Sequence, residues 1–533
     1  MNKLFKKSPL YFFLYTIYPI VFLLSINIGE INPISAIRPA LIFLIIGSVI
    51  FIIMFAITRN IQRTAFYSLI ILLTFFLIFF ILYAPIYRAL RNVQIAGYVL
   101  GRHRILVPLT FASLAIISII LFYFGKKLSQ KLLNNILTFF NFVALILTII
   151  SIITIISTTV NRSTQNEKEN QTLPPIELLK INQSTTMPDI YYIILDMHTN
   201  DNVLSRQLNF DDSSFTQALQ QRGFFVSLCS QSNYDSTELS LTSSLNFDYL
   251  QTLNLPGGDA TGKTPAMQNS RVRRMLENAG YTTYAFKTDY WFTEIKDTDH
   301  YYAHDRGAVS LITYPGVTSF ESLILSISAG QLLYEYRDNL SYKLQVFIDA
   351  PFVERREVIL NVLDTLPEIP PQPGPKFVFA HMLAPHHPFI FDVNGDPTFR
   401  RTPFSNVNDP EFGKGYGWET YKVGYVNEII YLHKRILEVV DKILSESKTP
   451  PIIIIQGDHG VPATKQYNAQ FQILNAYYFP NSVNVGLYDK ISPVNSFRLL
   501  FNVYFDMNFP LLPDKSYITE EEINLFDIQY PCP

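Results

Sequence analysis

Hydrophobic positions are not spread evenly along this chain. Five almost uninterrupted apolar runs fill its first third: Leu10–Ile28, Ala40–Ile57, Phe66–Ile86, Ile105–Phe124 and Leu132–Ile156. Each is close to the ~20 residues a helix needs to cross a bilayer. Ionisable side chains are nearly absent inside them, as the cost of a charge in hydrocarbon demands. Tyr and Phe gather near several of their ends, where amphipathic rings favour the interface. The pattern predicts an all-α domain of five transmembrane helices over residues 1–157.

Beyond it the pattern changes. Asn161–Gln171 is polar throughout and marks a linker over residues 158–186. From residue 187 to 533, short β-branched and aromatic runs alternate with helical spacing, which predicts an α/β domain with a mostly parallel central sheet. The expected strands are Ile190–Leu195, Thr283–Phe286, Phe377–Ala380 and Ile452–Ile455, continuous enough for burial on both faces. Helices are expected over Arg271–Ala279 and Glu419–Leu444.

Composition agrees with a membrane protein and removes other classes. Apolar residues make up 48% of the 533 and charged residues only 16%, against ~25% in ordinary soluble domains. With 42 basic and 44 acidic residues the net charge is −2, so no electrostatic bias points to nucleic acid. Two cysteines, Cys229 and Cys532, are too few for a disulfide framework or a cysteine-built zinc site, although they could pair outside the cytoplasm. Orientation follows from loop Lys and Arg. With the N-terminus in the cytoplasm, inside segments hold eight (Lys3, Lys6, Lys7, Arg59, Arg63, Lys126, Lys127, Lys131) and outside loops five (Arg38, Arg88, Arg91, Arg102, Arg104). An odd number of crossings then puts the C-terminal domain outside the cytoplasm, on a multi-pass plasma-membrane protein.

Ligands of open α/β sheets bind beyond the carboxyl ends of the strands. Two of the expected strands end in metal-ligating residues: Ile190–Leu195 in Asp196, and Ile452–Ile455 in Asp458 and His459 after Gln456–Gly457. Carboxylates and an imidazole brought together suit one divalent cation. Taken singly, each also has a plain structural explanation, since Asp caps helices. The hydroxyl-rich segment Ser232–Asn246 becomes helical at about Thr237, where free N–H groups favour an anion. Thr237 could be an activated nucleophile there. Read alone, Thr237 or Ser236 equally suits a helix N-cap, with Ser240 completing the first turn.

Three motifs in order, DIYYIILD (Asp189–Asp196), NYDSTELSLTSSLN (Asn233–Asn246) and IIIIQGDHG (Ile452–Gly460), resemble the sulfatase-like branch of the alkaline phosphatase superfamily. The middle one resembles the Thr-x-x-Ser segment of membrane-bound phosphoethanolamine transferases and lipoteichoic acid synthases, which share the five-helix layout. AHMLAPHHPF (Ala380–Phe389) resembles their His-x-Pro element, with His386 at the matching position. The resemblance implies an alkaline phosphatase-like sandwich behind the membrane domain. It implies Asp196, Thr237, Asp458 and His459 as ligands of one divalent ion, Mn²⁺, Mg²⁺ or Zn²⁺. Thr237 would also be the nucleophile, forming a phospho- or sulfo-threonine, and His386 would contact the transferred group or protonate the leaving oxygen.

Two departures narrow the reading. There is no C/S-x-P-x-R motif of sulfatases that use formylglycine: Cys229 is followed by Ser-Gln. Consecutive carboxylates after the first strand are replaced by Asp196-Met197-His198, with His198 an extra ligand or a packing residue. His381, Tyr425, Asn427, Lys287 and Asp289 are secondary candidates, the last two as anion binders. His103, His300, His304 and His433 read as surface or structural residues. The function expected is a metal-dependent transferase moving a phosphoryl-alcohol group from a membrane lipid or lipid-linked donor to a cell-envelope glycan or lipid acceptor. The alternatives are a membrane-anchored sulfatase or phosphodiesterase, and an inactive scaffold in envelope assembly.

Overall fold

The computed structural model describes the chain apart from residues 1–9, 29–30, 32, 77–82, 91–92, 96–97, 171–172, 182–186, 254–263, 305–313, 400–401, 405–417, 462–468, 481–485, 519–520 and 524–533, with the backbone alone over 161–170. Cys532, Arg91 and the lysines at 3, 6 and 7 therefore lie outside the described residues. The chain divides into two compact units.

The first unit holds Met1–Asn161 together with Gly307–Phe352 and Phe399–Val407. The helices of its first segment are Leu10–Asn27, Ile37–Thr58, Ile61–Phe76, Tyr83–Leu90, His103–Gly125 and most of Gln130–Asn170, and Ser319–Ser326, Gln331–Glu335 and the first turns of Tyr342–Thr365 lie in its second. Pro33–Thr58, His103–Gly125 and Gln130–Val160 are long and apolar enough to cross a membrane, while Phe12–Asn27 and Ile61–Phe76 are shorter apolar helices. All five expected apolar runs are thus helical, the third falling partly on residues outside the description. Large apolar side chains face outward; Ile52 and Ile119 are 65% and 68% exposed, a cost in water that lipid removes. The first two helices approach closely at Gly47, where an added Cβ would stand 2.8 Å from Thr16 Cγ2. Small residues make such contacts possible in membrane bundles. The last helix does not stop where polarity begins: it runs on through Asn161–Asn170, which the sequence pattern assigns to a linker. Glu, Lys and Gln are good helix formers, so a polar run can extend a helix already nucleated in an apolar one.

The second unit comprises Arg162–Arg306, Val353–Thr398 and Asn408–Pro533. Its sheet has seven strands: β1 Ile190–Leu195, β2 Phe225–Val226, β3 Thr282–Phe286, β4 His300–Tyr302, β5 Lys376–Met382, β6 Ile452–Gln456 and β7 Asn475–Tyr478, in the order β2-β7-β6-β1-β5-β3-β4. The five strands from β6 to β4 are mutually parallel, and β7 and β2 add an antiparallel edge. All four expected strands are present, Ile190–Leu195 with the expected bounds and the other three longer by one to three residues.

β1 lies at the centre, Ile193 opposite both Ala380 and Ile455. On one face Ile190, Tyr192 and Ile194 pack in one cluster with Leu241 and Leu245 of the Thr237–Asn246 helix and Phe497 and Phe501 of the Pro493–Tyr504 helix. The alternate residues Tyr191, Ile193 and Leu195 are also fully buried, so both faces are covered, as parallel sheets require. Tyr192 OH donates to Ser244 Oγ at 3.0 Å, tying that helix to the central strand by a polar pin.

Candidate active site and metal centre

Parallel strands deliver their carboxyl ends to one edge, and the candidate residues meet there. Asp196 follows β1 directly; its N–H donates to Met382 O at 3.0 Å, continuing the ladder by one residue. Met197 then turns the chain with φ +64° and donates its own N–H to Asp458 Oδ1 at 3.0 Å. Gly457, between β6 and Asp458, sits so close to His198 that a Cβ would fall 2.2 Å from its carbonyl oxygen. That approach lets the two strand exits share one carboxylate bond.

Asp458 therefore aims Oδ2 away from Met197, and Oδ2 is buried without a hydrogen-bond partner, as are Asp196 Oδ1 and His381 Nε2. His459 Nε2 lies 3.7 Å from Asp196 Oδ1 and 3.7 Å from Asp458 Oδ2. Two atoms bound to one ion at ~2.0–2.3 Å in tetrahedral geometry stand about 3.3–3.8 Å apart, so this donor set fits a single divalent cation. His381, on β5, brings Nε2 to 3.4 Å from Asp196 Oδ2, and Asp196, His381 and Asp458 offer ligand atoms all within 4.8 Å of one another. Both imidazoles are oriented from behind: His459 Nδ1 is 3.0 Å from Gly460 O and His381 Nδ1 is 3.0 Å from Thr293 Oγ1. A carbonyl can only accept, so Nδ1 of His459 carries hydrogen and Nε2 faces the carboxylates, the second-shell arrangement typical of metal-ligating histidines.

The electrostatics express the same crowding. Burial, and then the Asp458 carboxylate beside it, push the Asp196 carboxyl up, with His381 and His459 pulling the other way. Burial works against a charged His459, yet Asp458 and Asp196 outweigh it and hold the imidazole above its ordinary value. Two buried carboxylates side by side are costly unless a positive charge stands between them.

Thr237 opens the Thr237–Asn246 helix, 6% exposed, after Ser236 in extended conformation without a side-chain cap. One turn on, Ser240 Oγ donates to Asp458 O at 2.7 Å. Residues three apart share a helix face, so Thr237 stands one turn from the backbone of a metal-ligand candidate. Glu238 beside it is pushed up by burial and feels both His459 and Asp196, which again puts the helix start at the carboxylate pair. His386 is held well below its ordinary value by burial, then by His387, Arg355 and His459. Its Nδ1 faces His387 O at 2.6 Å, leaving Nε2 as an acceptor.

Several sequence readings change here. Of the two alternatives for His433, surface or structural, the structure shows the second: it is buried, 2.7 Å from His198 through the two Nε2 atoms and 3.0 Å from Asp212 Oδ1 through Nδ1. His198 belongs to that second group and not to the Asp196 cluster. Lys287 is not a free anion binder, since its ammonium pairs with Asp289 at 3.0 Å and Glu354 at 2.8 Å. Tyr425 does reach the site's frame: its hydroxyl donates to Met197 O at 2.7 Å and accepts from Thr199 N. Arg355 was not legible in the sequence. It is buried, donates to Leu383 O at 3.1 Å, and lies within electrostatic reach of Asp289, Asp196 and Glu428. It sits mid-helix in Tyr342–Thr365 with no motif around it.

No family model matches the chain, and no curated protein matches it in sequence. Solved structures do resemble it. The zinc-bound C-terminal periplasmic domain of EptC from Escherichia coli is 13% identical, with a TM-score of 0.41 over 67% of this chain and 98% of that one. The integral membrane lipooligosaccharide phosphoethanolamine transferase A from Neisseria meningitidis is 12% identical, with a TM-score of 0.39 over 95% of each chain. The lipoteichoic acid synthase LtaP from Listeria monocytogenes is 11% identical, with a TM-score of 0.33 over 59% of this chain and 71% of that one. These are the kinds of protein that the three sequence motifs resemble.

Proposed function

We propose that this chain is a membrane-embedded, metal-dependent transferase that moves a phosphoryl-alcohol group from a lipid donor to a cell-envelope glycan or lipid through a covalent intermediate on Thr237. One observation carries the reading: His459 Nε2 stands equally far, 3.7 Å, from the two partnerless oxygens of Asp196 and Asp458, beside the helix that Thr237 opens.

Asp196, Asp458, His459 and the Thr237 hydroxyl would hold one divalent ion, Mn²⁺, Mg²⁺ or Zn²⁺, with His381 behind Asp196. When bound, such an ion lowers the pKa of the hydroxyl and neutralises charge on the phosphoryl oxygens. Thr237 loses its proton, its Oγ–P bond forms as the lipid P–O bond breaks, and the departing oxygen gains a proton. An acceptor hydroxyl then attacks the same phosphorus, breaks the Oγ–P bond and returns a proton to Thr237. His386, held neutral, takes up a proton at Nε2 and passes it to the leaving oxygen, or else contacts the transferred group. The open N–H groups of the first turn stabilise negative charge on the oxygens in flight.

The membrane side of the reading is five crossings, a cytoplasmic N-terminus and an extracytoplasmic C-terminal domain in the plasma membrane. Its support is the five apolar helices and the excess of loop Lys and Arg on the cytoplasmic side.

The test uses the full chain in vesicles containing phosphatidylethanolamine or phosphatidylglycerol. The expected products are diacylglycerol and, without an acceptor, a Thr237 peptide carrying phosphoethanolamine or phosphoglycerol in mass spectrometry. Water as the only acceptor, with fast turnover of a soluble phosphate or sulfate ester, would make the chain a hydrolase. Full turnover by Thr237→Ala, or its absence together with metal-free protein, would overturn the enzyme reading.

A further inference from the structure

Gly307–Phe352 follows strand β4 in sequence, yet it belongs to the compact unit of the apolar helices. Two anchors fix it there. Arg38, at the start of the Ile37–Thr58 helix, donates Nε to Glu321 Oε1 at 2.6 Å and Nη2 to Gly316 O at 2.5 Å. Phe320 and Ile324 pack into a cluster with Ile20, Leu23, Leu24 and Ile28. Further on, Glu335 Oε2 accepts the N–H of His103, at the start of the His103–Gly125 helix, at 3.0 Å. Glu321 and Glu335 are 335 − 321 = 14 residues apart, so the starts of two long apolar helices share one end of the bundle. The fifth helix reaches the same end, where Ile155 packs partly buried against the same cluster.

At this level the chain exposes apolar side chains. The Tyr342–Thr365 helix begins with Tyr342 at 79% exposure, Leu344 at 49%, Val346 at 51% and Phe347 at 42%, whereas Ile348, Ala350 and Phe352 are buried. From Leu340 to Phe347 the only charged residue is Lys343. Aromatic and aliphatic side chains with a single cation are the composition of a segment lying in a membrane interface, where rings settle at the headgroups and lysine meets lipid phosphate.

We propose that Tyr342, Leu344, Val346 and Phe347 enter the headgroup–acyl boundary of the membrane that the helical unit spans, making this turn a second point of lipid contact for the chain. The inference rests on the membrane reading given above, and its test separates the two. Spin labels are attached at Leu344→Cys and Phe347→Cys in the full chain, in vesicles of phosphatidylethanolamine and phosphatidylglycerol. Ile53→Cys, on the outer face of a long apolar helix, and Lys448→Cys, exposed on the catalytic unit, serve as references. Cys229 and Cys532 are replaced by serine so that they do not compete for the label. The expected result is that labels at 344 and 347 collide with oxygen several-fold more than with a water-soluble nickel chelate, as at 53, while the label at 448 shows the reverse. Labels at 344 and 347 that behave like 448 overturn this inference alone; a label at 53 that does so overturns the membrane reading. Dipolar broadening between labels at 347 that vanishes on dilution with unlabelled protein would mean a second copy covers the turn, and would also overturn it.

Discussion

Met197 donates its backbone N–H to Asp458 Oδ1 over 3.0 Å, and that bond determines which oxygen of Asp458 faces the site. Oδ1 is spent on the strand exit of β1, so Oδ2 is left beside His459 and Asp196. In Asp458→Asn the amide oxygen would keep the bond to Met197 and an NH₂ donor would replace Oδ2. The expected outcome is a folded protein whose metal affinity falls by roughly 100-fold or more, by the measure of outer-shell changes that already cost 10–100-fold. Metal content by mass spectrometry, beside thermal unfolding, checks this; a full complement of bound metal in the variant would contradict the ligand assignment.

Thr237 gives a sharper contrast. Thr237→Ala removes the hydroxyl but leaves the helix start with better propensity, so stability should change by less than ~1 kcal/mol. Turnover should fall by roughly six orders of magnitude, the scale seen when a covalent nucleophile is deleted. Thr237→Ser keeps an oxygen at that position and should retain turnover and yield the peptide carrying the phosphoryl-alcohol group. Steady-state rates of the two variants, with mass spectrometry of the acceptor-starved enzyme, distinguish them. Equal loss in both would point to packing of the methyl group instead of chemistry.

The strands and their terminal acids were readable in advance because a parallel sheet buried on both faces needs unbroken β-branched runs, and Ile190–Leu195 and Ile452–Gln456 have them. Asp196 and Asp458 follow from where those runs stop. His381 was harder, for it lies within β5 and only the register opposite Ile194 shows that it shares the edge with Asp196. Arg355 and His433 were out of reach, because each sits in a long helix whose partners come from segments more than a hundred residues away or from no motif at all. The polar tail of the fifth apolar helix misled for a related reason: local polarity signals exposure, and exposure is compatible with a helix as well as a linker.

His433 carries a prediction of its own. His198 Nδ1 faces Thr199 O at 2.9 Å, so it holds hydrogen and its Nε2 accepts from His433 Nε2–H. One proton then lies between His433 Nδ1 and Asp212 Oδ1. His433→Ala strands a buried carboxyl and a buried imidazole, which should cost about 3–5 kcal/mol. Because Met197 and His198 occupy the strand exit beside Asp196, metal affinity should weaken as well, by roughly 10-fold. Adding Asp212→Asn should recover part of the stability, since it removes the stranded charge. Calorimetry on the two variants and the double variant checks the coupling; strict additivity would deny that the pair interacts.

A pH dependence arises from Asp201, at the first position of the Asp201–Leu208 helix, where Thr216 Oγ1 donates to its Oδ2 at 3.0 Å. Burial first, and then the neighbouring Asp212 carboxylate, raise its carboxyl from 3.8 to about 6. A raised pKa means the folded protein holds a proton that the unfolded chain has already released. The stability this group contributes is therefore complete below 3.8, declines as pH climbs to about 6, and is absent above. Asp201→Asn stays neutral at every pH and keeps an acceptor for Thr216. Its unfolding temperature, relative to the parent chain, should be least favourable near pH 4. The difference should then move steadily in the variant's favour through pH 6 and level off toward neutrality. Thermal melts across that range in one detergent and one salt concentration decide the matter. A difference that stays flat, or that moves toward the parent chain as pH rises, would show that the carboxyl is not held protonated by its surroundings.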